Sequence, residues 1–154
     1  FLINKTTKQA KNLEWESSYR FANTGPDDYL KQDFRLVIGT KQFVEDNNAG
    51  VNLYPDAFTL AQNYPNPFNP QTSIMISLEE DAQVDLIIYN LLGKEISRLA
   101  ANELRPAGYY NFIWNGRNGI GDKVATGVYF YRALIRNTQG KVVLNKTRKM
   151  VFLK

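Results

Sequence analysis

The sequence of 154 residues contains no histidine and no cysteine. Without histidine it has no imidazole base, and without cysteine no thiolate nucleophile, so a Ser-His-Asp triad cannot be assembled within it. Zinc sites built on Cys or His are excluded, and so are disulfides. Tryptophan and methionine occur only twice each. No window approaches the roughly 18 consecutive apolar residues of a membrane span. What is abundant is β-forming material. Hydrophobic residues make up 44% and aromatics 13%, enough to build a packed core rather than a disordered tail.

Period-2 alternation supplies the main structural signal. Ile74, Ile76 and Leu78 alternate with Ser73, Met75 and Ser77. Tyr110, Phe112 and Trp114 alternate with Asn111 and Ile113, and Phe34, Leu36 and Ile38 with Arg35 and Val37. Each set predicts a strand with one apolar face inward. Val84 to Tyr89 and Val128 to Ile135 are apolar on both faces, which predicts central strands. Turn residues punctuate these runs at Leu91-Leu92-Gly93-Lys94, Arg105-Pro106-Ala107-Gly108, Asn115 to Asp122 and Gln139-Gly140. The spacing predicts an all-β fold, an immunoglobulin-like antiparallel β-sandwich.

The opening run Phe1-Leu2-Ile3 reads as the inside of a strand. The expectation is a fragment lacking its N-terminal portion, while the run to Lys154 reads as a true C-terminus. Strands at Phe1-Leu2-Ile3, Tyr19-Arg20-Phe21 and Phe34 to Ile38 are too few for an independent sandwich. Residues 1–50 therefore read as the last strands of a truncated preceding β-domain, with the alternative that they pack on the second sandwich. The polar stretch Glu45 to Gly50 marks a boundary, 51–61 a linker, and 62–154 the second domain.

The segments QNYPNPFNPQTSIMISL, DAQVDLIIYNLLGKEI, PAGYYNFIWNGRNGIGDKVATGVYFYRAL and TRKMVFLK resemble, in order, the type A C-terminal sorting domain of the type IX secretion system. The resemblance covers about residues 58–154. The segments are also similar to the immunoglobulin-like domain of flagellar hook-capping proteins. This resemblance implies a non-catalytic secretion signal. It implies an outer-membrane translocon and a sortase-type peptidase as partners, transit through the periplasm, and a secreted or cell-surface destination. The positions it carries over are Pro65, Asn66, Pro67 and Phe68, then Gly93, Gly127 and Tyr129, and the basic residues Lys149 and Lys154.

Other readings stand beside it. Three prolines in six residues (Pro65, Pro67, Pro70) cannot lie in a central strand and read equally as a rigid lead-in capping a sheet edge. Gly127-Val128-Tyr129 reads as a glycine bend before core aromatics. The loop at 115–122 has Asp122 as its sole acid, which suits a turn rather than a calcium site. Glu79, Glu80 and Asp81 are consecutive and fit a turn better than an acid/base pair. No enzymatic activity, cofactor or metal is expected. Asn4-Lys5-Thr6 and Asn145-Lys146-Thr147 match the glycosylation sequon.

The chain could instead be a structural subunit of a surface layer or filament, self-associating through strand edges or donating Phe1-Leu2-Ile3 to a neighbour. It could also be a carbohydrate-binding or adhesive module using Tyr109, Tyr110, Trp114, Tyr129 and Tyr131, with burial of Tyr110 and Trp114 counting against it. Finally, the net charge of +4 hides a division. Residues 123–154 carry eight basic residues and no acid, whereas residues 1–122 carry 11 basic and 15 acidic. The basic end is either a solubilising, edge-protecting face or an electrostatic docking face for an acidic partner. Its charges are spread over alternating strands without a nucleic-acid motif, so nucleic acid is not an expected partner.

Overall fold

The computed structural model describes residues 1–5, 9–11, 13, 33–51 and 53–153. The chain divides into two compact units, Phe1–Leu53 and Tyr54–Lys154.

In the first unit, β1 (Leu2–Asn4) lies between β2 (Gln9–Lys11) and β3 (Phe34–Leu36), antiparallel to both. The expected strand at Tyr19-Arg20-Phe21 lies outside the described residues. The Phe34/Leu36/Ile38 alternation was expected to face inward. Instead Leu36 and Ile38 are exposed and Val37 is buried. The run FRLVI is apolar at adjacent positions, so its pattern does not fix which face is covered. A short helix, α1 (Lys41–Asp46), follows, with the Thr40 hydroxyl accepting from the Phe43 N–H at its start. Its end and the next turn take up the polar stretch read as a boundary. The span read as a linker contains buried Val51, Leu53 and Leu60.

The second unit is the immunoglobulin-like sandwich. One sheet has the order β4-β5-β8, from β4 (Thr59–Leu60), β5 (Thr72–Leu78) and β8 (Gly108–Trp114). The other has the order β10-β9-β6-β7, from β6 (Ala82–Tyr89), β7 (Glu95–Arg105), β9 (Gly127–Asn137) and β10 (Val142–Phe152). The two doubly apolar runs are the central strands β6 and β9. The inward rows of β5 and β8 meet those of β6 and β9 in one core, where Ile74, Ile76, Leu78, Leu86, Ile88, Tyr131, Ala133 and Ile135 are fully buried. Glu79-Glu80-Asp81 forms the β5–β6 turn, and Asp81 accepts from the Ala107 N–H at 3.0 Å.

Three turns are built by one five-residue device. In Asn90–Lys94, Asn118–Asp122 and Asn137–Lys141, the asparagine N–H donates to the fifth residue's carbonyl, at 3.0, 2.9 and 2.9 Å. Its side-chain oxygen accepts from the N–H groups of the third and fifth residues, at 2.8–3.1 Å. The fourth residue is a glycine at positive φ (Gly93 74°, Gly121 93°, Gly140 80°), a region that an L side chain avoids. The device therefore specifies Asn and Gly and leaves the second and third positions free.

Tyr110 and Tyr129 close the sandwich in matching ways. Each follows a glycine by two residues and donates its hydroxyl to a carbonyl four residues upstream, Pro106 at 2.6 Å and Ala125 at 2.7 Å. The hydroxyl of Tyr131 donates to Ala61 O at 2.8 Å. Burial raises all three tyrosines. Tyr110 is pushed up to about 12, with Arg105 opposing the shift and Asp81 adding to it. Native tyrosine keeps its proton where the unfolded chain, titrating near 10, has lost it. This contribution is complete below the unfolded value and disappears as pH rises through the folded value. Cooperative alkaline unfolding is expected between pH of about 10 and about 12. Tyrosinate absorbance and circular dichroism should change together. Tyrosine ionisation that precedes loss of structure would contradict the burial argument.

Candidate functional site

The residues singled out from sequence fall on two neighbouring features joined by one aromatic cluster. The first is the proline-rich lead-in. Asn63 is buried and donates to Thr72 Oγ1 (2.9 Å) and to the Pro65 carbonyl (3.1 Å), while its own N–H donates to the Tyr131 hydroxyl (2.8 Å). The lead-in is thus anchored to the central strand β9. The peptide bonds preceding Pro65, Pro67 and Pro70 are cis, and Pro65, Asn66 and Pro67 are exposed.

From that anchor the lead-in seals the outer edge of β10. Asn66 Oδ1 accepts from the Val151 N–H at 2.9 Å, and Gln62 Nε2 donates to Lys149 O at 2.9 Å. Phe68 forms a parallel bridge to Phe152: its N–H donates to Val151 O and its carbonyl accepts from the Leu153 N–H, both at 3.0 Å. Side-chain amides and one residue of backbone do the work of a missing neighbour strand. This brings Gln62 and Asn66 against the Lys149 backbone, and Phe68 against Val151 to Leu153. The Lys149 side chain is exposed and has no acidic partner among the described residues. Lys154 lies outside the described residues.

The aromatic cluster carries the contact inward. The Phe68 ring stacks on Phe152 with centroids 5.0 Å apart and an interplanar angle of 20°. It tilts against Trp114 at 5.5 Å, and Trp114 meets Tyr129 edge-on at 5.2 Å. Gly116 backs this cluster. A Cβ there would lie 2.7 Å from the Phe152 ring, and its φ of 67° disfavours a side chain in any case.

The second feature is an open groove of about 190 Å³ lined by Asn90, Leu91, Leu92, Thr126, Gly127, Val128 and Tyr129. Gly127 and Tyr129 therefore share it with the β6–β7 turn, which contains Gly93. Tyr129 is 6% exposed and is chiefly a core residue. Leu91 and Leu92 are 68% and 91% exposed. The turn does not require them, because the same device carries Thr138-Gln139 in one sister turn and Gly119-Ile120 in the other. By sequence alone, Leu91-Leu92 is only turn punctuation. The three Asn-x-x-Gly turns were the available signal.

The remaining candidates separate differently. Tyr110, Trp114, Tyr129 and Tyr131 are buried in the core, and Tyr109 alone of the proposed sugar platform is exposed. Their alternation with polar residues faced the core, which removes the best candidates for carbohydrate binding. The Asn115 to Asp122 loop spends the Asn118 side chain on its own backbone. The basic end is not one uniform face. Arg136 pairs with Asp85 at 3.2 Å, and Arg148 Nε donates to Leu60 O at 2.8 Å. Lys141, Lys146 and Lys149 are exposed. In the alternative of strand donation, the segment Phe1-Leu2-Ile3 overlaps β1, which is already paired on both sides in its own sheet.

Residues 66–140 match the family model of the FlgD Ig-like domain. Among solved structures, 64% of the chain is similar to dimeric latent PorU from Porphyromonas gingivalis, at 22% identity and a TM-score of 0.50. The match spans only 9% of that protein, and it shows the sandwich fold. CopC from Methylosinus trichosporium OB3b matches at 10% identity and a TM-score of 0.40, over 62% of this chain and 92% of its own. Chicken MD-1, solved with lipid IVa, matches at 13% identity and a TM-score of 0.30, over 62% and 78%. No curated protein matches. Residues 66–140 are thus similar to the FlgD Ig-like domain, and the fold of the Tyr54–Lys154 unit around them is an immunoglobulin-like sandwich.

Proposed function

We propose that this FlgD-related sandwich is a non-catalytic sorting module, read by the outer-membrane translocon of the type IX secretion system and then by a sortase-type peptidase. Its route passes through the periplasm to the cell surface or the medium. The observation that carries this reading is the exposed Leu91-Leu92 pair beside the Gly127–Tyr129 groove. Two exposed leucines on a turn that does not need them suit docking to an apolar partner surface. The ordered segments that resemble type IX sorting domains, all within residues 58–154, point the same way. The lead-in supports it by holding the 149–153 edge in a fixed shape beside the exposed Lys149 side chain.

The test is export of a reporter. A periplasmic reporter fused ahead of the full 154-residue chain is expected to reach the medium or surface in a host with a type IX system. It should remain in the periplasm when the translocon is deleted. Equal periplasmic retention in both hosts would overturn the reading.

A further inference from the structure

The sandwich has four strand edges, and three are guarded. β4 is two residues long and runs into the proline lead-in. β10 carries exposed Lys146 and Lys149, and its 149–153 stretch is sealed by Asn66 and Phe68. β7 carries Glu95, Arg98, Glu103 and Arg105, its pairing is broken by register shifts, and Asn102 sits at φ 51°. Each of these devices discourages pairing with another chain. β8 opens at Gly108 but is otherwise regular. Its seven residues, GYYNFIW, include no charge and no proline, and its register with β5 runs without a shift.

The hydrogen-bond pattern shows what β8 offers. Ser73 exchanges bonds with Tyr64, and Met75 O accepts from Ala61, so the odd residues of β5 face β4 and its even residues face β8. In β8 the even residues therefore face β5, while Tyr109, Asn111 and Ile113 present their N–H and C=O groups outward. The side chains of Tyr109 and Ile113 are 56% and 59% exposed on the outer sheet face. The row beside them, Ser73, Met75 and Ser77, is also uncharged.

We infer that β8 pairs antiparallel with β8 of a second copy of this chain, centred on Asn111. The register follows from the strand itself. About Asn111, a two-fold axis sets Tyr109 opposite Ile113 and Asn111 opposite Asn111. All three outward-facing residues then meet outward-facing residues, giving about six backbone hydrogen bonds. Tyr109 against Ile113 is an aromatic–β-branched pair, which stabilises sheets. Asn111 Oδ1 accepts from the Ser73 hydroxyl, leaving its amide NH2 to donate across the axis. No like charges oppose one another, so a second copy satisfies this edge with a partner of identical length and polarity. The paired sheet would run β4-β5-β8-β8-β5-β4.

Sedimentation velocity on the full chain, over a dilution series reaching millimolar concentration, should show a reversible monomer–dimer equilibrium. Asn111→Lys places two ammonium groups face to face and is expected to weaken dimerisation at least about tenfold. Thr147→Lys on the β10 edge should leave it unchanged. Because the chain has no native cysteine, Asn111→Cys gives an independent register readout. Facing residues in such a pair lie about 5.5 Å apart at Cα, within disulfide range. Mild oxidation should cross-link Asn111→Cys and not Thr147→Cys. A chain that stays monomeric throughout, one that binds only a foreign extended peptide, or equal cross-linking from both cysteines would overturn the pairing.

Discussion

Phe68→Ala is expected to lower the unfolding free energy of the Tyr54–Lys154 unit by about 3–5 kcal/mol. Phe68 is 2% exposed, stacks on Phe152 at 5.0 Å and touches Trp114. Its loss removes a large transfer term and opens a cavity. The walls cannot close it readily, because Phe152 is held from behind by Gly116 and Trp114 is fixed by its Nε1–H bond to Arg117 O at 2.8 Å. A second consequence follows at the edge. The ring is what keeps the Phe68 backbone beside Val151 and Leu153, so without it the seal along β10 loosens. Phe68→Leu should recover most of the loss. Tyr64→Ala, at a residue 81% exposed, should stay within about 0.5 kcal/mol of the parent. Urea titrations followed by near-ultraviolet circular dichroism measure all three. A Phe68→Ala loss below about 1 kcal/mol would mean that the lead-in is surface decoration.

The same packing changes how the basic end is tested. A deletion of Lys149 to Lys154 removes not only charge but also Met150 and Phe152, which are 0% and 6% exposed. Lost export after that deletion would report unfolding as readily as a missing signal. Lys149→Gln leaves the core intact and isolates the ammonium group.

Local periodicity made most of the sandwich legible. The alternation in 73–78 and 110–114 mapped onto the half-buried strands β5 and β8, and the doubly apolar runs at 84–89 and 128–135 onto the central strands β6 and β9. The outer faces of β6 and β9 are only half-buried, so the extra apolar residues there mark a central position in the sheet rather than burial on two sides. What stayed hidden was non-local. Nothing near Asn66 or Phe68 says that they will pair with residues 149–153, more than 80 positions away. The prolines showed only that the lead-in could not be an interior strand. The first unit failed locally for the opposite reason. FRLVI is apolar at neighbouring positions, so either face could have been covered, and α1 is too short at six residues to establish a helical period.

Replacing Leu91-Leu92 by Thr-Gln is expected to cut export of the fused reporter at least about tenfold, the loss of roughly 1.4 kcal/mol of docking energy. The substitution is copied from the sister turn Asn137–Lys141, which has the same hydrogen bonds around Asn137 and Gly140. The asparagine that accepts two N–H groups and the glycine at positive φ are untouched. Leu91 and Leu92 bury little, so unfolding free energy should shift by less than about 0.5 kcal/mol. The reciprocal change, Thr138→Leu with Gln139→Leu, puts the same residues on the other turn, away from the Thr126–Tyr129 wall of the groove. It should neither impair export nor rescue the first variant. Full export from the Thr-Gln chain would remove the leucine pair from the docking surface. A loss reproduced by the reciprocal variant would point to turn folding. A loss confined to Leu91 and Leu92 at unchanged stability separates recognition from fold, because one turn geometry is held constant while only its exposed surface is altered.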